Sequence, residues 1–190
     1  MNDQMRTWLT RGGIALGVFI VGMIAGWLAH GGRSDVARVN FYKDWRLACP
    51  ADTDAKSYCA LASDVVEPKT GTHLAQVTWG VEASKPDTHV IVVSVPLTVL
   101  IQPGLGLQVG DKTTTYKYAT CLPTGCVVTI PVDDKLADAM QSATTLGIVV
   151  TSERGEPITL PVSVQGFKDA YGVMNATEGK RKSWWKRLWS

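Results

Sequence analysis

Four cysteines are the side chains of this chain best placed to do chemistry. They are Cys49, Cys59, Cys121 and Cys126, an even set at short separations that follows an export-type apolar segment. This pattern is typical of structural disulfides formed in an oxidising compartment. Local pairing, Cys49 with Cys59 and Cys121 with Cys126, requires least of the chain, and Pro123-Thr124-Gly125 favours a tight turn between the second pair.

Redox and metal chemistry fit these cysteines less well. A thioredoxin-type pair is spaced Cys-x-x-Cys, and neither pair has that spacing. Zinc needs further ligands close by, whereas His73 and His89 stand alone in strand-like stretches. We therefore expect structural disulfides, with no metal ligand and no cofactor.

Motifs of enzymatic catalysis are missing from the sequence. There is no Gly-x-Ser-x-Gly elbow, P-loop or His-Glu-x-x-His motif, and Gly104-x-Gly106 lacks the third glycine of a dinucleotide turn. Asp133-Asp134 is a carboxylate pair, but adjacent carboxylates at a helix start more often interact with the helix dipole. The sequence therefore predicts a protein without enzymatic activity.

The tail, residues 175–190, concentrates cations and indoles. If helical, it would align Trp185, Leu188 and Trp189 in one apolar stripe, which is typical of an interfacial helix on anionic lipid headgroups. There are three alternatives for the tail: docking on a membrane protein, a solvated terminus, and binding of nucleic acid. The location in an oxidising compartment, expected from the cysteines, argues against nucleic acid. The residues expected to contact the membrane or a partner are Lys180, Arg181, Lys182, Trp184, Trp185, Lys186, Arg187, Leu188 and Trp189.

An uncharged stretch precedes the cysteines. Residues 12–29 are 18 residues without a charge, the shortest length that is read as a spanning helix. Trp8 and Trp27 bracket this stretch about 28 Å apart in a helix, close to the thickness of the hydrocarbon layer. Two small-xxx-small pairs offer close approach to another helix, or reflect the glycine richness of membrane helices: Gly13 with Gly17, and Gly22 with Gly26.

A cleaved secretory signal and a buried soluble helix are the alternatives to a membrane anchor. The apolar core is longer than the roughly 7–15 residues usual in a signal, and Trp27 lies very near a cut at Ala29-His30-Gly31. We therefore favour a retained signal anchor. The arginines on its two sides nearly balance, so charge does not orient it. The expected disulfides place the body on the oxidising side and residues 1–11 in the cytoplasm.

Charge is unevenly distributed along the chain. The total of +2 comprises +2 in residues 1–38 and +4 in residues 178–190, which leaves −4 for residues 39–177. A nucleic-acid-binding domain would instead concentrate positive charge on its folded surface. The acidic body therefore argues against nucleic acid as a partner, and the basic ends point toward a membrane.

The body of the chain, residues 39–174, has the sequence pattern of a β-sheet domain. Short runs rich in Val, Ile, Thr and aromatics recur between turn signals, which favours a mainly β fold, an antiparallel β-sandwich of jelly-roll-like type preceded by one transmembrane helix. One short helix is expected from Asp133 to Ser142, capped by Asp133 or Asp134, and a second short helix near Phe167. The predicted strands are 39–47, 57–66, 74–83, 88–95, 105–109, 113–120, 127–132, 146–152 and 158–164.

A set of motifs occurs in order between residues 44 and 174: Trp45 before Cys49 and Cys59, then the runs 95–97, 102–107, 118–126 and 160–167, followed by Ala170. Through these motifs, residues 44–174 resemble the invasion-associated locus B family of bacterial envelope proteins. The resemblance implies an exported β-sandwich in the bacterial envelope without established enzymatic activity. Family members commonly carry cleavable signals, and the basic tail is not part of the family pattern.

Together these features predict a single-pass bacterial inner-membrane protein. Its parts are a cytoplasmic N-terminus at 1–11, an anchor at 12–29, a linker at 30–38, a periplasmic sandwich at 39–174 and the tail at 175–190. We expect a non-enzymatic structural or interaction module whose partners are anionic headgroups or an inner-membrane protein complex. An accessory subunit of such a complex and a secreted invasion or adhesion factor are the alternatives.

Overall fold

The computed structural model describes residues 19–23, 36–52, 54, 56–82 and 84–182. Residues 19–23 are helical. Among the described residues, no helix is both long and apolar enough to cross a membrane. The rest of the predicted anchor lies outside these ranges, with Trp8, Gly13, Gly17, Gly26 and Trp27. Residues 183–190 also lie outside them, including Trp184, Trp185, Lys186, Arg187, Leu188 and Trp189.

The described residues from 36 onward contain twelve strands and two longer helices. All the strand pairs are antiparallel. The elements are β1 (Arg38–Tyr42), β2 (Trp45–Cys49), β3 (Ala60–Val66), β4 (His73–Glu82), β5 (Lys85–Val95), β6 (Val99–Leu100), β7 (Leu105–Val109), β8 (Lys112–Tyr116), β9 (Thr120–Leu122), β10 (Gly125–Val132), α1 (Asp134–Ser142), β11 (Leu146–Ser152), β12 (Pro157–Val162) and α2 (Phe167–Lys182).

The strands form two sheets that share one hydrophobic core. The first sheet has the order β1-β2-β3-β4-β5-β10-β9, and the second has the order β12-β11-β7-β8, with β6 beside β11. Alternate residues of β3, β4 and β10 are buried, as in a sheet with one covered face. Trp45 and Val77 of the first sheet belong to the same buried cluster as Leu107 and Ile148 of the second. The mainly β, antiparallel fold is thus confirmed.

The strand order departs from the jelly-roll-like prediction. In a jelly roll, the chain crosses between two sheets through Greek keys. Here β1 to β5 instead form a continuous meander of neighbours within one sheet. Hydrophobic alternation identifies strands and their buried faces but carries no information on their order, so this part of the architecture could not follow from the pattern.

Two predicted strands are each divided in the structure. The stretch 39–47 is a hairpin, because the chain reverses at Lys43 and Asp44 between β1 and β2. Lys43 has a φ of 53°, a left-handed conformation that the sequence does not signal with glycine. The stretch 113–120 is divided because β8 pairs with β7 in the second sheet, whereas β9 pairs with β10 in the first.

Helix α1 begins where it was predicted. The Asp133 side chain accepts a hydrogen bond from the Leu136 backbone N–H at 2.8 Å, so Asp133 is the cap and Asp134 lies in the first turn. Ala137 and Met140 are buried. The carboxylate pair at 133–134 therefore starts a helix rather than forming an acid–base site.

Helix α2 begins at Phe167 as predicted but is 16 residues long rather than short. Phe167, Ala170, Met174 and Glu178 are all buried, and their spacing of three and four residues places them on one face. The helix crosses the boundary drawn at residue 175 and includes Lys180–Lys182 in its backbone. The packed body therefore extends beyond residue 174 to Glu178.

Candidate interaction surfaces at the two ends of the domain

Both predicted disulfides are present, Cys49–Cys59 and Cys121–Cys126. Cys59 and Cys126 are almost fully buried. No free cysteine occurs among the described residues, and no cluster of three or more His, Cys, Asp or Glu side chains in those ranges is suited to a metal ion. The two bridges are cross-links at the edge of the hydrophobic core, which is the structural role predicted for them.

The two disulfides lie at opposite ends of the first sheet. Cys49 pairs with Arg38 at the start of β1, and Tyr42 pairs with Trp45 at the other end of the same hairpin. Following the pairing across the meander places Val95 and its partner Cys126 at that second end. We call the two regions the Cys49 end, with Arg38, Cys49, Cys59 and Glu178, and the Cys126 end, with Leu97, Ile101, Cys121, Leu122 and Cys126.

The Cys49 end is organised around a buried carboxylate. Glu178 of α2 is 7% exposed, and its Oε1 accepts a hydrogen bond from the Cys59 backbone N–H at 2.6 Å. On the other side of the disulfide, Arg38 forms an ion pair with Asp52 at 2.6 Å. Asp54 Oδ1 accepts hydrogen bonds from the backbone N–H groups of Lys56 and Ser57. The carboxylates of this loop therefore already have partners within the protein.

Sequence analysis missed Glu178, which it counted among the charges of the tail. A signal was present, since Glu178 lies eleven residues after Phe167 and so falls on the same helical face as the buried Ala170 and Met174. A glutamate on an apolar face requires a partner when it is buried. That partner, a backbone N–H beside a disulfide 119 residues away, could not be read from the sequence.

An aromatic cluster holds α2 against the first sheet. Phe167 packs on Trp45 and Trp79 with ring centroids 4.8 and 5.5 Å apart, and Tyr171 meets Trp79 edge-on at 5.1 Å. The Trp45 indole donates a hydrogen bond to the Ser163 carbonyl oxygen at 2.8 Å. These contacts fix the position of the first turns of α2 and hence the direction in which the helix runs along the first sheet.

A close backbone approach allows this docking. Gly166 has a φ of 86°, and a Cβ at that position would collide with the carbonyl oxygen of Tyr42. Only glycine fits the position without displacing β1. The helix therefore starts near the Tyr42 side of the β1–β2 hairpin and ends, at Glu178, beside Cys59 at the Cys49 end.

The Cys126 end combines a tight turn with an apolar surface. Leu122 pairs with Gly125 in the hairpin that joins β9 to β10, so the predicted turn at Pro123 is confirmed. Burial raises the pKa of Tyr118, whose hydroxyl has no hydrogen-bond partner among the described residues. Several large apolar side chains here are 39–54% exposed: Leu97, Leu100, Ile101 and Leu122.

A polar cluster lies on the outer face of the first sheet. Asp64 accepts hydrogen bonds from Gln76 Nε2 at 2.6 Å and from His73 Nε2 at 3.2 Å, with Arg46 at 3.9 Å. Burial raises the pKa of Asp64, but the hydrogen bonds and the positive charges outweigh it and hold that pKa below its ordinary value. The arrangement keeps Asp64 ionised and is typical of a solvated ion-pair network.

One cavity of about 450 Å³ opens beside this cluster, between the β1–β2 hairpin and β12. Its lining includes Phe41, Trp45, Asp64 and Pro161. Two polar pairs lie beside it, since Ser163 Oγ donates to Asp44 Oδ2 at 2.5 Å and Asp64 is held by Gln76. These pairs are structural contacts, and the described residues of the lining do not include a nucleophile that lies against a base.

The comparisons with known proteins agree with this fold. A family model described as invasion-associated locus B (IalB) protein matches residues 45–175. Invasion protein B homologues from two strains of Brucella abortus are each 26% identical over 138 residues, covering 71% of this chain and 78% of the relative. The crystal structure of invasion-associated protein B from Bartonella henselae matches with a TM-score of 0.63 and 21% identity, covering 75% of this chain and 99% of that one. Since the family model spans more than half of the sequence, this chain belongs to the IalB family.

Proposed function

We propose that this protein is a membrane-anchored, non-enzymatic interaction module of the bacterial envelope. In this proposal, residues 12–29 span the inner membrane once, residues 1–11 lie in the cytoplasm, and the disulfide-braced domain lies in the periplasm. The observation that carries the proposal is the pair of closed disulfides in a body that follows an uncharged 18-residue stretch. Structural disulfides persist in the periplasm and are rare in the cytosol.

The relatives support an envelope role. The matching proteins of Brucella abortus are named invasion protein B homologues, and the matching structure is named an invasion-associated protein. A retained anchor would keep this chain at the inner membrane rather than release it toward a host. We therefore propose a role within the envelope, with contacts to other envelope components in place of a secreted activity.

The distribution of polar groups supports binding rather than catalysis. Asp133 caps α1, Asp64 is held by Gln76 and His73, and Glu178 accepts from the Cys59 N–H. Each of these carboxylates has a structural partner. No cofactor is part of the proposal, and its partners are anionic lipid headgroups together with an inner-membrane protein complex.

Protease accessibility in spheroplasts tests the topology. The full chain would carry one epitope at its N-terminus and a different epitope at its C-terminus, and proteinase K would be added before and after lysis. We expect the C-terminal epitope to disappear from intact spheroplasts while the N-terminal epitope survives until lysis. A cytoplasmic protein serves as the control for intact membranes.

Three other outcomes would overturn or redirect the proposal. Survival of the C-terminal epitope with loss of the N-terminal one would reverse the topology. Release of the domain from spheroplasts, with a mass that lacks residues 1–31, would support the secreted alternative. Co-migration with a defined set of membrane proteins after purification in mild detergent would support the accessory-subunit alternative, whereas a lone monomer would count against it.

A further inference from the structure

We infer that β1 is a self-association edge, along which two copies of this chain pair their first strands antiparallel and join their first sheets into one. The inference concerns the folded domain, goes beyond the proposed function and does not depend on the anchor. It is carried by the residues of β1, all of which the structure describes. They form an edge strand with exposed apolar side chains and a sequence that complements itself.

The edge position of β1 leaves one side of its backbone available for pairing. β1 stands first in the order of the first sheet, and among the described residues its only ladder partner is β2. In an antiparallel pair, alternate residues direct their N–H and C=O groups away from the partner strand. These groups lie along a strand of five residues and can form a second ladder with an incoming strand.

The other edges of the two described sheets carry features that discourage such pairing. β12 contains Pro157 and Pro161, which have no N–H to donate. β8 begins with Lys112, a residue type that opposes pairing at an edge. β6 and β9 have only two and three residues. β1 contains neither proline nor lysine, and its one charged residue, Arg38, forms an ion pair with Asp52.

Two apolar side chains of β1 lie on the outer face of the first sheet. Asn40 pairs with the buried Leu47 and therefore shares the inner face of the sheet. Val39 and Phe41, on either side of Asn40, lie on the outer face, where they are 53% and 73% exposed. A second strand beside β1 would cover part of both side chains, so apolar contacts would add to the hydrogen bonds of the ladder.

The sequence of β1 fits a second copy of itself. Directly opposite residues of an antiparallel pair share a face, and a two-fold axis through Asn40 places Val39 opposite Phe41 of the second copy. Arg38 then lies opposite Tyr42 of the second copy, and Asn40 lies opposite Asn40. These pairs combine a β-branched side chain with an aromatic one, a cation with a ring, and two amides that can hydrogen-bond. Like charges are nowhere opposite each other among these five pairs.

This register also makes the longest ladder. With the axis through Asn40, all five residues of each strand are paired. An axis through Val39 or Phe41 would pair only three residues of each strand and would separate the aromatic from the β-branched side chain. One strand pair is at the low end of the size range of specific interfaces, so we expect a reversible, concentration-dependent dimer.

Cross-linking of an introduced cysteine tests the pairing directly. Opposite Cα atoms of an antiparallel pair are about 4.5–5.5 Å apart, within the range that a disulfide spans. The full chain with Asn40→Cys should therefore form a disulfide-linked dimer in native membranes under mild oxidation. Thr114→Cys, in the middle of the exposed β8 edge, is the matched control and should form at least about fivefold less. The parent chain, which has no free cysteine among the described residues, gives the baseline.

Mixed variants test the register. Chains with Val39→Cys and chains with Phe41→Cys, carrying different epitopes, should cross-link to each other when they are produced together. Each variant alone should form little dimer, because neither residue lies opposite its own copy. Efficient cross-linking of Phe41→Cys or Val39→Cys to itself would overturn the register.

Light scattering of the full chain in mild detergent measures the association without a cross-link. Asn40→Lys places two ammonium groups opposite each other at the two-fold axis, so we expect it to raise the dimer dissociation constant at least about fivefold. Thr114→Lys should leave this constant unchanged. Both positions are exposed, so both variants should keep the fold of the parent, which denaturant unfolding checks.

The remaining outcomes would overturn self-pairing. Equal cross-linking through Asn40→Cys and Thr114→Cys would show random collision. A chain that is monomeric in detergent and is not cross-linked at Asn40→Cys would show that β1 does not pair with itself. Cross-linking of Asn40→Cys to a different protein, without a dimer, would assign the edge to another partner. Loss of the chain from the membrane would overturn the anchor alone, since the same variants can be scored in solution.

Discussion

The two ends of the domain use similar cross-links in different ways. At the Cys126 end, the disulfide joins directly paired residues of one hairpin, Cys121 and Cys126, which the turn already brings together. At the Cys49 end, the disulfide closes a ten-residue separation and also supports the N–H that holds Glu178. Both bridges therefore join neighbouring antiparallel strands, and what distinguishes the Cys49–Cys59 bridge is the buried contact with α2 beside it.

The largest effect should come from the aromatic cluster that directs α2 toward the Cys49 end. We expect Trp79→Ala to lower the free energy of unfolding by about 3–5 kcal/mol, because a fully buried indole is replaced by a cavity. Trp79→Phe should lose less. The matched control at the Cys126 end is Leu122→Ala, which should change stability by less than about 0.5 kcal/mol because Leu122 is 53% exposed. Denaturant unfolding measures all three, and equal losses at Trp79 and Leu122 would contradict the account.

Removal of each disulfide sharpens the comparison. The chain-entropy model assigns each small loop about 2–3 kcal/mol. We expect Cys49→Ala/Cys59→Ala to lose about 1 kcal/mol more than Cys121→Ala/Cys126→Ala, because loosening the first loop also weakens the hydrogen bond to Glu178. Denaturant unfolding of the two double variants decides this point. Equal losses of unfolding free energy would show that the hydrogen bond to Glu178 adds nothing to the effect of removing the Cys49–Cys59 bridge.

Glu178 itself should have an intermediate effect. Glu178→Ala leaves a buried backbone N–H without its acceptor, so we expect a loss of about 1–3 kcal/mol, with faster hydrogen exchange of the Cys59 amide. Glu178→Gln should lose less. Glu153→Ala, at an exposed position, is the control and should stay within about 0.5 kcal/mol of the parent. Unchanged exchange at Cys59 would refute the hydrogen bond as a structural link.

The smallest effect should come from Asp64, on the outer face of the first sheet. Its folded pKa lies below the ordinary value of 3.8, so its stabilising contribution is present above that value and is lost as the pH falls through the folded pKa. The side chain is 38% exposed, and solvent screening limits the contribution to less than about 1 kcal/mol. The stability difference between the parent and Asp64→Asn should shrink as the solution is acidified. A difference that stayed constant or grew would contradict this assignment.

The sequence predicts features that depend on local spacing. The four cysteines, the cap at Asp133, the start of α2 and the residues that carry the family resemblance all follow from short-range patterns, and the structure and the comparisons bear them out. Features that depend on tertiary contacts could not be predicted from the sequence. The turn at Lys43 has no glycine to mark it, and the change of sheet after β8 depends on which neighbour the strand finds. The burial of Glu178 depends on a contact with Cys59, far away in sequence.

The central claim is that a disulfide-braced domain stays attached to its N-terminal anchor. The intact mass of the protein extracted from native membranes, measured without reduction, tests it most directly. We predict a mass that includes residues 1–31 and lies four hydrogen atoms below that of the reduced chain, since each of the two disulfides removes two. A mass that lacks residues 1–31, or one equal to that of the fully reduced chain, would contradict the account.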